Sequence, residues 1–180
     1  MQILTQMGVE FETIAPDPID ESSYIDGGNL EKSICALAVM KAQSVAVRYP
    51  AALVVGADTV VVKGTCVFGK PADRGDARSM LVTLANARHT VVTGIALLCA
   101  ECAFSHAAAA ATEVFFREIA PDEIDSYLET GEYRDKAGAY AIQGRAMAFV
   151  DKIMGCYYNV VGLPVSETIY AFKDYLRTQE

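Results

Sequence analysis

Basic residues are scarce in this chain, and they are not clustered. Lysine and arginine number 15 against 23 aspartate and glutamate residues, which gives a formal net charge of −8. Binding to the phosphate backbone of nucleic acids depends mainly on clustered lysine and arginine side chains. The composition therefore argues against a general nucleic-acid-binding protein, although a few local cations could still hold a small anionic ligand such as a phosphate chain.

The chain also lacks a long apolar run and a secretory start. No run reaches the roughly 18–20 residues that span a bilayer, and the start MQILTQMGVEFE lacks the charged and apolar regions of a signal peptide. Only one C-x-x-C pair occurs, Cys99 with Cys102. Without a second pair, buried and reduced thiols are favoured over a zinc or redox site. We therefore expect a cytoplasmic protein with no membrane partner.

The remaining composition is that of a globular protein, with 180 residues of which 52% are hydrophobic. Helical and extended patterns alternate, which predicts an α/β fold. Helices are expected over 30–48, 73–86 and 121–131 and from Pro164 onwards. Strands are expected over 52–62, 89–99 and 111–119, with a short return strand ending at Phe68. The alanine-rich stretch before residue 111 is interpreted as a linker, and residues 146–153 and 157–163 are interpreted as extended.

Asp58 is unusual because it lies inside the apolar run VVGADTVVV. A carboxylate buried in a strand is costly unless something partners it, so Asp58 is either functional or a structural carboxylate that caps a turn or pairs with a buried cation. Lys41 lies on the first long helix, where its stem could follow the surface while the charge stays in water. Lys70 precedes Pro71 and is either functional or a solvated loop residue. Glu21, in DPIDES, is either functional or an ordinary acidic loop residue.

These side chains, together with Lys136, are the groups that a magnesium–triphosphate site uses. Carboxylates hold the metal, and lysines neutralise phosphate oxygens. The spacing alone does not show that they converge. Gln143, between Ile142 and Gly144, is unusual for a strand because a half-buried amide needs partners for both its donor and its acceptor. His89 opens a strand and is interpreted as a local hydrogen-bonding residue.

Six segments together resemble the Maf family of nucleoside triphosphate pyrophosphatases, from about the first long helix to near the C-terminus. They are VVGADTVVV, GKPAD, RHTVVTGIAL, TEVFFREI, YLETGEYRDKAGAYAIQG and YYNVVGLP. The resemblance implies a single domain over 1–180, with an elongated mixed sheet flanked by helices in two lobes around a central cleft. It implies hydrolysis of a nucleoside triphosphate to the monophosphate and pyrophosphate with a divalent metal, magnesium or manganese. KAGAYAIQG is similar to the branch that acts on dTTP and UTP, and modified pyrimidine triphosphates are further possible substrates.

Carried over by position, the resemblance implies a role for each residue singled out above. Asp58 would accept a proton from the attacking water and, with Glu21, would bind the metal. Lys41 and Lys70 would hold the triphosphate, and Thr59 and Gln143 would set the choice of base. Family members are often dimers, so a homodimer is among the expected partners. The alternatives are a catalytically weak nucleotide-binding homologue acting in septum formation and a 7-methyl-GTP pyrophosphatase, which AYAIQG disfavours.

The sequence departs from the family pattern at two places, and each departure leads to an expectation. The family begins with a phosphate-binding loop of the form S-x-S-P-R-[RK], and no such loop precedes QILTQMGVEFETI here. We expect the natural start to lie upstream of Met1, the other interpretation being a degraded homologue. Ala141 stands where the family usually has glycine, and it should be tolerated if its backbone keeps a negative φ.

Overall fold

The computed structural model describes residues 2–19 and 29–179 of the chain. Its helices are α1 (Gln2–Gln6), α2 (Leu30–Ala46), α3 (Arg74–Leu84), α4 (Pro121–Glu129), α5 (Tyr157–Val161) and α6 (Val165–Arg177). Its strands are β1 (Val54–Lys63), β2 (Cys66–Phe68), β3 (Arg88–Cys99), β4 (Phe104–Phe116) and β5 (Val150–Met154). Short 3-10 turns occupy Ala137–Ala139 and Arg145–Phe149. No helix in these described stretches is long and apolar enough to cross a membrane.

The strands form one five-stranded sheet in the order β2-β1-β3-β4-β5. β1 pairs antiparallel with β2, so that Val62 faces Val67, and β4 pairs antiparallel with β5, so that Val114 faces Ile153. A register shift between Phe115 and Phe116 interrupts the second pair. Helices flank this sheet, and the α/β class predicted from the sequence is confirmed.

Side chains at the helix starts explain where two of the predicted helices begin. The side chain of Asn29 accepts a hydrogen bond from the amide of Lys32 and caps α2. Asp73 accepts from the amide of Asp76 at 2.8 Å and caps α3. Pro121 opens α4, where its fixed φ suits the first turn and its missing N–H costs nothing.

The chain divides into two compact units, each with a hydrophobic core. The first unit comprises the described residues of 1–58, 93–110 and 162–180, and its core includes an alanine face of α2 at Ala38, Ala42 and Ala46. The second unit comprises 59–92 and 111–161. Its larger core contains residues from β1, α3, β3, β4 and α4, among them Val61, Leu81, Val91, Val114 and Ile124.

Four expectations from the sequence are wrong. The alanine-rich stretch is not a linker, because it forms part of β4. Tyr157–Val161 is a short helix rather than an extended segment, and the 146–153 segment begins as a 3-10 turn before it becomes β5. The cysteines are not uniformly buried: Cys66 and Cys102 are exposed, whereas Cys99 is buried.

Candidate active site

Asp58 lies on β1 with its side chain only 10% exposed to solvent. The strand positions it between the buried residues Gly56 and Val60, and Thr59 follows it, half-buried, on the same strand. The apolar run therefore does form a strand, with the carboxylate in its interior as the pattern predicted. What partners the carboxylate decides which interpretation holds.

Lys41 provides that partner from helix α2. Its ammonium group donates a hydrogen bond to Oδ1 of Asp58 and forms an ion pair with it, although the two residues are 17 positions apart in the chain. The Lys41 side chain is 17% exposed. The alternative in which Lys41 keeps its charge in water is therefore wrong. The carboxylate therefore has the cationic partner that its burial requires, and a functional role for Asp58 stays a prediction.

A close approach of α2 to β1 makes this pairing possible. A Cβ atom built on Gly56 would lie 2.5 Å from the carbonyl oxygen of Ala38 and 3.0 Å from Cβ of Ala42. Only glycine on the strand leaves room for the helix backbone at this distance. The small residues thus bring the Lys41 side chain within reach of Asp58.

The pair has the chemistry of a general base and of a metal ligand. A neighbouring ammonium group favours the anionic form of a carboxylate, and the anion is the form that accepts a proton or binds a cation. Within residues 2–19 and 29–179, no three His, Cys, Asp or Glu side chains form a group that could hold a metal ion. The other predicted ligand, Glu21, lies outside the described residues.

Lys70 is exposed in the loop that follows β2. The preceding residue, Gly69, accepts a hydrogen bond at its carbonyl oxygen from the amide of Gly138, at 3.0 Å. Gly138 in turn lies against Val61, since a Cβ atom at this glycine would come within 2.9 Å of the valine side chain. The GKP loop is therefore tied to the turn of KAGAY, two motifs about 70 residues apart in the sequence that carry the family resemblance.

The KAGAY turn has an unusual backbone. Gly138 and Ala139 both have positive φ, at 66° and 61°, and Ala139 is completely buried. A non-glycine residue in this region costs on the order of 1 kcal/mol and persists only where the surroundings impose it. The next residue, Tyr140, is buried and places its hydroxyl 2.9 Å from Nε2 of His89. His89 therefore has a hydrogen-bonding role, as the sequence predicted, but its partner lies 51 positions away in the chain rather than nearby.

Gln143 is exposed on a turn rather than placed in a strand. The amide of Gly144 donates to the carbonyl oxygen of Ala141 at 2.9 Å and closes this turn. Ala141 is not among the four non-glycine residues with positive φ in the described part of the chain, so its departure from glycine is tolerated as expected. The Gln143 amide is thus presented to solvent by a defined turn.

Two residues that support this turn had no predicted role. Glu132 accepts a hydrogen bond from the amide of Arg145, and the hydroxyl of Tyr127 accepts one from the amide of Ala141. The only sequence signal was Gly144 directly after Gln143, because a glycine at such a position often marks a close backbone approach. Nothing in the pattern indicated which side chain makes that approach.

Comparison with known proteins finds similarity over nearly the whole chain. A family model described as Maf-like protein matches residues 1–175. The dTTP/UTP pyrophosphatase of Symbiobacterium thermophilum is 44% identical over 168 residues, which cover 93% of this chain and 84% of the relative. The protein of the same name from Geobacillus sp. is 42% identical, covering 96% and 90%. That from Vibrio cholerae is 36% identical, covering 93% and 88%.

Proposed function

This chain belongs to the Maf family, and from that premise we propose that it is a nucleoside triphosphate pyrophosphatase acting on dTTP and UTP. It would hydrolyse the bond between the α and β phosphates and release the nucleoside monophosphate and pyrophosphate. The observation that carries this proposal is the ion pair of Lys41 with Asp58, a largely buried base and cation in a chain similar over most of its length to enzymes named dTTP/UTP pyrophosphatase.

Asp58 is the residue that we propose as the proton acceptor for the attacking water. A carboxylate accepts a proton only in its anionic form and from a defined orientation, and the hydrogen bond from the Lys41 ammonium group supports both. In the same proposal Lys41 and Lys70 bind the triphosphate and offset the charge that develops on the departing pyrophosphate. Lys70 is suited to this role because it is exposed at the end of a loop that the Gly69–Gly138 hydrogen bond holds in place.

A divalent cation, magnesium or manganese, is part of the proposal. Magnesium in phosphoryl-transfer sites is commonly held by one or two carboxylates together with substrate phosphates and water, rather than by a full set of protein ligands. Asp58 fits this donor set, and Glu21 is the proposed second ligand. When bound, the cation would supply neutralisation of negative charge on the phosphate oxygens.

Base choice is proposed to rest on Thr59 and Gln143. A glutamine amide offers one acceptor and a donor group, which can match the carbonyl and ring imide of uracil or thymine. A site built from such polar groups disfavours bases that leave those groups unpaired. The cytoplasmic location and the homodimer remain predictions from the sequence.

Pyrophosphate release from a panel of nucleotides tests the proposal. The protein is incubated with dTTP, UTP, dCTP, GTP or 7-methyl-GTP in the presence of magnesium chloride, and kcat/KM is measured for each. We expect dTTP and UTP to be the best substrates. Equal release from all five nucleotides would contradict the base preference, preferential release from 7-methyl-GTP would assign the other branch, and stabilisation by dTTP without turnover would favour a nucleotide-binding protein.

A further inference from the structure

The turn that carries Gln143 is fixed at both of its ends by side chains from one neighbouring segment. That segment is the last part of α4 and the residues that follow it, from Tyr127 to Glu132. The turn itself spans Ala141–Gly144 and leads directly into the 3-10 turn Arg145–Phe149. All of these residues belong to the second compact unit.

Glu132 holds the C-terminal end of the turn. Its Oε2 atom accepts a hydrogen bond from the amide of Arg145 at 2.7 Å. The same oxygen would lie 2.1 Å from a Cβ atom built at Gly144, so the carboxylate packs directly against the backbone of this glycine. Hydrogen bonds from an amide to a charged acceptor are among the stronger ones in proteins.

The position of Glu132 is itself defined by the end of α4. Its amide donates to Oγ1 of Thr130 at 3.1 Å, and that hydroxyl donates to the carbonyl oxygen of Tyr127 at 2.7 Å. Gly131, with φ at 73°, lets the chain reverse between them. The carboxylate is thus placed by a local network rather than by a flexible surface loop.

Tyr127 holds the other end of the turn. Its hydroxyl oxygen accepts a hydrogen bond from the amide of Ala141 at 3.3 Å, and its side chain is buried. Burial, reinforced by the negative charge of Glu132, raises the pKa of Tyr127 to about 12. The hydroxyl is therefore neutral throughout the working pH range, and the contact does not change with pH.

We propose that Glu132 and Tyr127 are positioning residues that fix the orientation of Gln143 and thereby set the preference for dTTP and UTP. The inference rests on the proposed function, because it assumes that Gln143 reads the base. Hydrogen-bond recognition of a base edge tolerates only small displacements of the amide. Releasing the turn should therefore weaken binding of the preferred bases, while the chemistry at Asp58 continues.

The test compares four variants with the wild type in steady-state kinetics on dTTP, UTP and GTP. Glu132→Ala removes the carboxylate, Glu132→Gln keeps an acceptor oxygen, and Tyr127→Phe removes only the hydroxyl. Glu129→Ala is the matched control, since Glu129 is an exposed carboxylate on the last turn of the same helix. Thermal unfolding establishes that each variant is folded, and Tyr127→Phe keeps the test decisive if Glu132→Ala does not fold.

We expect Glu132→Ala to raise the KM for dTTP about tenfold, with kcat within about threefold of the wild type, and to reduce the dTTP-over-GTP preference about tenfold. Tyr127→Phe should act in the same direction, Glu132→Gln should retain most of the preference, and Glu129→Ala should match the wild type. Unchanged KM and preference in folded Glu132→Ala and Tyr127→Phe would overturn the inference. So would an equal fall of kcat on all nucleotides with KM unchanged.

The wild-type kinetics separate this inference from the proposed function. A wild type that prefers dTTP and UTP, with variants that prefer them equally, refutes only the positioning role. A wild type that releases no pyrophosphate, or releases it equally from every nucleotide, refutes the proposed function and the inference with it.

Discussion

The hydroxyl oxygen of Tyr140 lies 2.9 Å from Nε2 of His89, and both side chains are buried. Each ring also contacts Phe116 edge to face, with centroid distances of 4.8 Å. Nδ1 of His89 has no hydrogen-bond partner in the described part of the chain. Burial and, to a smaller extent, the charge of Lys63 lower the pKa of His89 to about 4. The imidazole is therefore neutral in the folded protein at neutral pH.

This depressed pKa predicts a loss of stability in mild acid. The pKa of histidine is about 6.5 in an unfolded chain. Between that value and the folded value the unfolded state binds the proton more readily, so the stabilisation is present above pH 6.5 and is lost as the pH falls towards 4. From this residue we expect the free energy of unfolding to be about 2 kcal/mol lower at pH 5 than at pH 7. Urea unfolding at the two pH values measures the difference.

The chain offers a matched control for this prediction, because it contains only two histidines. His106 is only partly buried and lies 3.6 Å from Asp174. His106→Gln should keep the pH dependence of the wild type, and His89→Gln should lose most of it whatever its stability at pH 7. An unchanged pH dependence in His89→Gln would show that another group is responsible.

The Lys41–Asp58 pair predicts that a protein with only one of the two charged side chains is less stable than a protein with neither. Lys41→Met leaves a largely buried carboxylate without its cation, and we expect a loss of about 2 kcal/mol in the free energy of unfolding. Asp58→Asn should lower kcat at least about a hundredfold, because it removes the proposed proton acceptor. The double variant Lys41→Met with Asp58→Asn should recover part of the lost stability. Urea unfolding of the four proteins measures the coupling between the two residues.

An exposed ion pair is the control for this cycle. Arg78 and Asp125 form a pair at 2.8 Å with side chains 44% and 45% exposed. Exposed pairs contribute little, so Arg78→Met should change the free energy of unfolding by less than about 1 kcal/mol. Additive effects of Lys41→Met and Asp58→Asn would contradict the expected coupling.

Most helices were predictable from the sequence because their ends carry local signals. Asn29 before α2 and Asp73 before α3 both make the capping hydrogen bonds that such residues favour. The β4 strand was missed in part because alanine has little intrinsic preference for strands, so neighbouring strands decide its conformation. The helix at Tyr157–Val161 was missed because its aromatic and β-branched residues favour strands, whereas tertiary contacts determine the result. Asn159 donates to the carbonyl oxygen of Val91 and to Oγ1 of Thr112.

The sequence allowed candidate site residues to be named, but it did not show their contacts. Asp58 stood out because a carboxylate in an apolar run violates the burial rule. Its pairing with Lys41 depends on how close α2 comes to β1, which the periodicity of either element does not show. Glu132 could not be identified from the sequence for the same reason, because its contact with the Arg145 amide spans 13 residues of irregular chain.

The close approach of α2 to β1 predicts that Gly56 is required for a stable site. In Gly56→Ala the new Cβ atom would meet the carbonyl oxygen of Ala38 at 2.5 Å, so the helix must shift away from the strand. We expect a loss of about 2 kcal/mol in the free energy of unfolding, together with reduced pyrophosphate release as Lys41 moves from Asp58. Chemical unfolding and the dTTP assay measure the two effects.

Gly69 is the matched control for this substitution. A Cβ atom at Gly69 would meet nothing within 4 Å, and its φ is not positive. Gly69→Ala should therefore change the free energy of unfolding by less than about 0.5 kcal/mol. Equal stability of the two variants would mean that α2 does not constrain β1 at Gly56.

Lys70 is predicted to act through its positive charge on the triphosphate. Lys70→Ala should lower kcat/KM for dTTP about tenfold, and Lys70→Arg should recover part of the loss because it keeps the charge. Since Lys70 is exposed, the difference between wild type and Lys70→Ala should shrink as salt is raised from 0.05 to about 0.5 M. Lys173→Ala, which removes an exposed charge on α6, should leave kcat/KM unchanged. If Lys70→Ala and Lys173→Ala behave alike at low salt, the loop lysine does not bind the phosphates, and the hydrogen bond between Gly69 and Gly138 serves only to hold the loop.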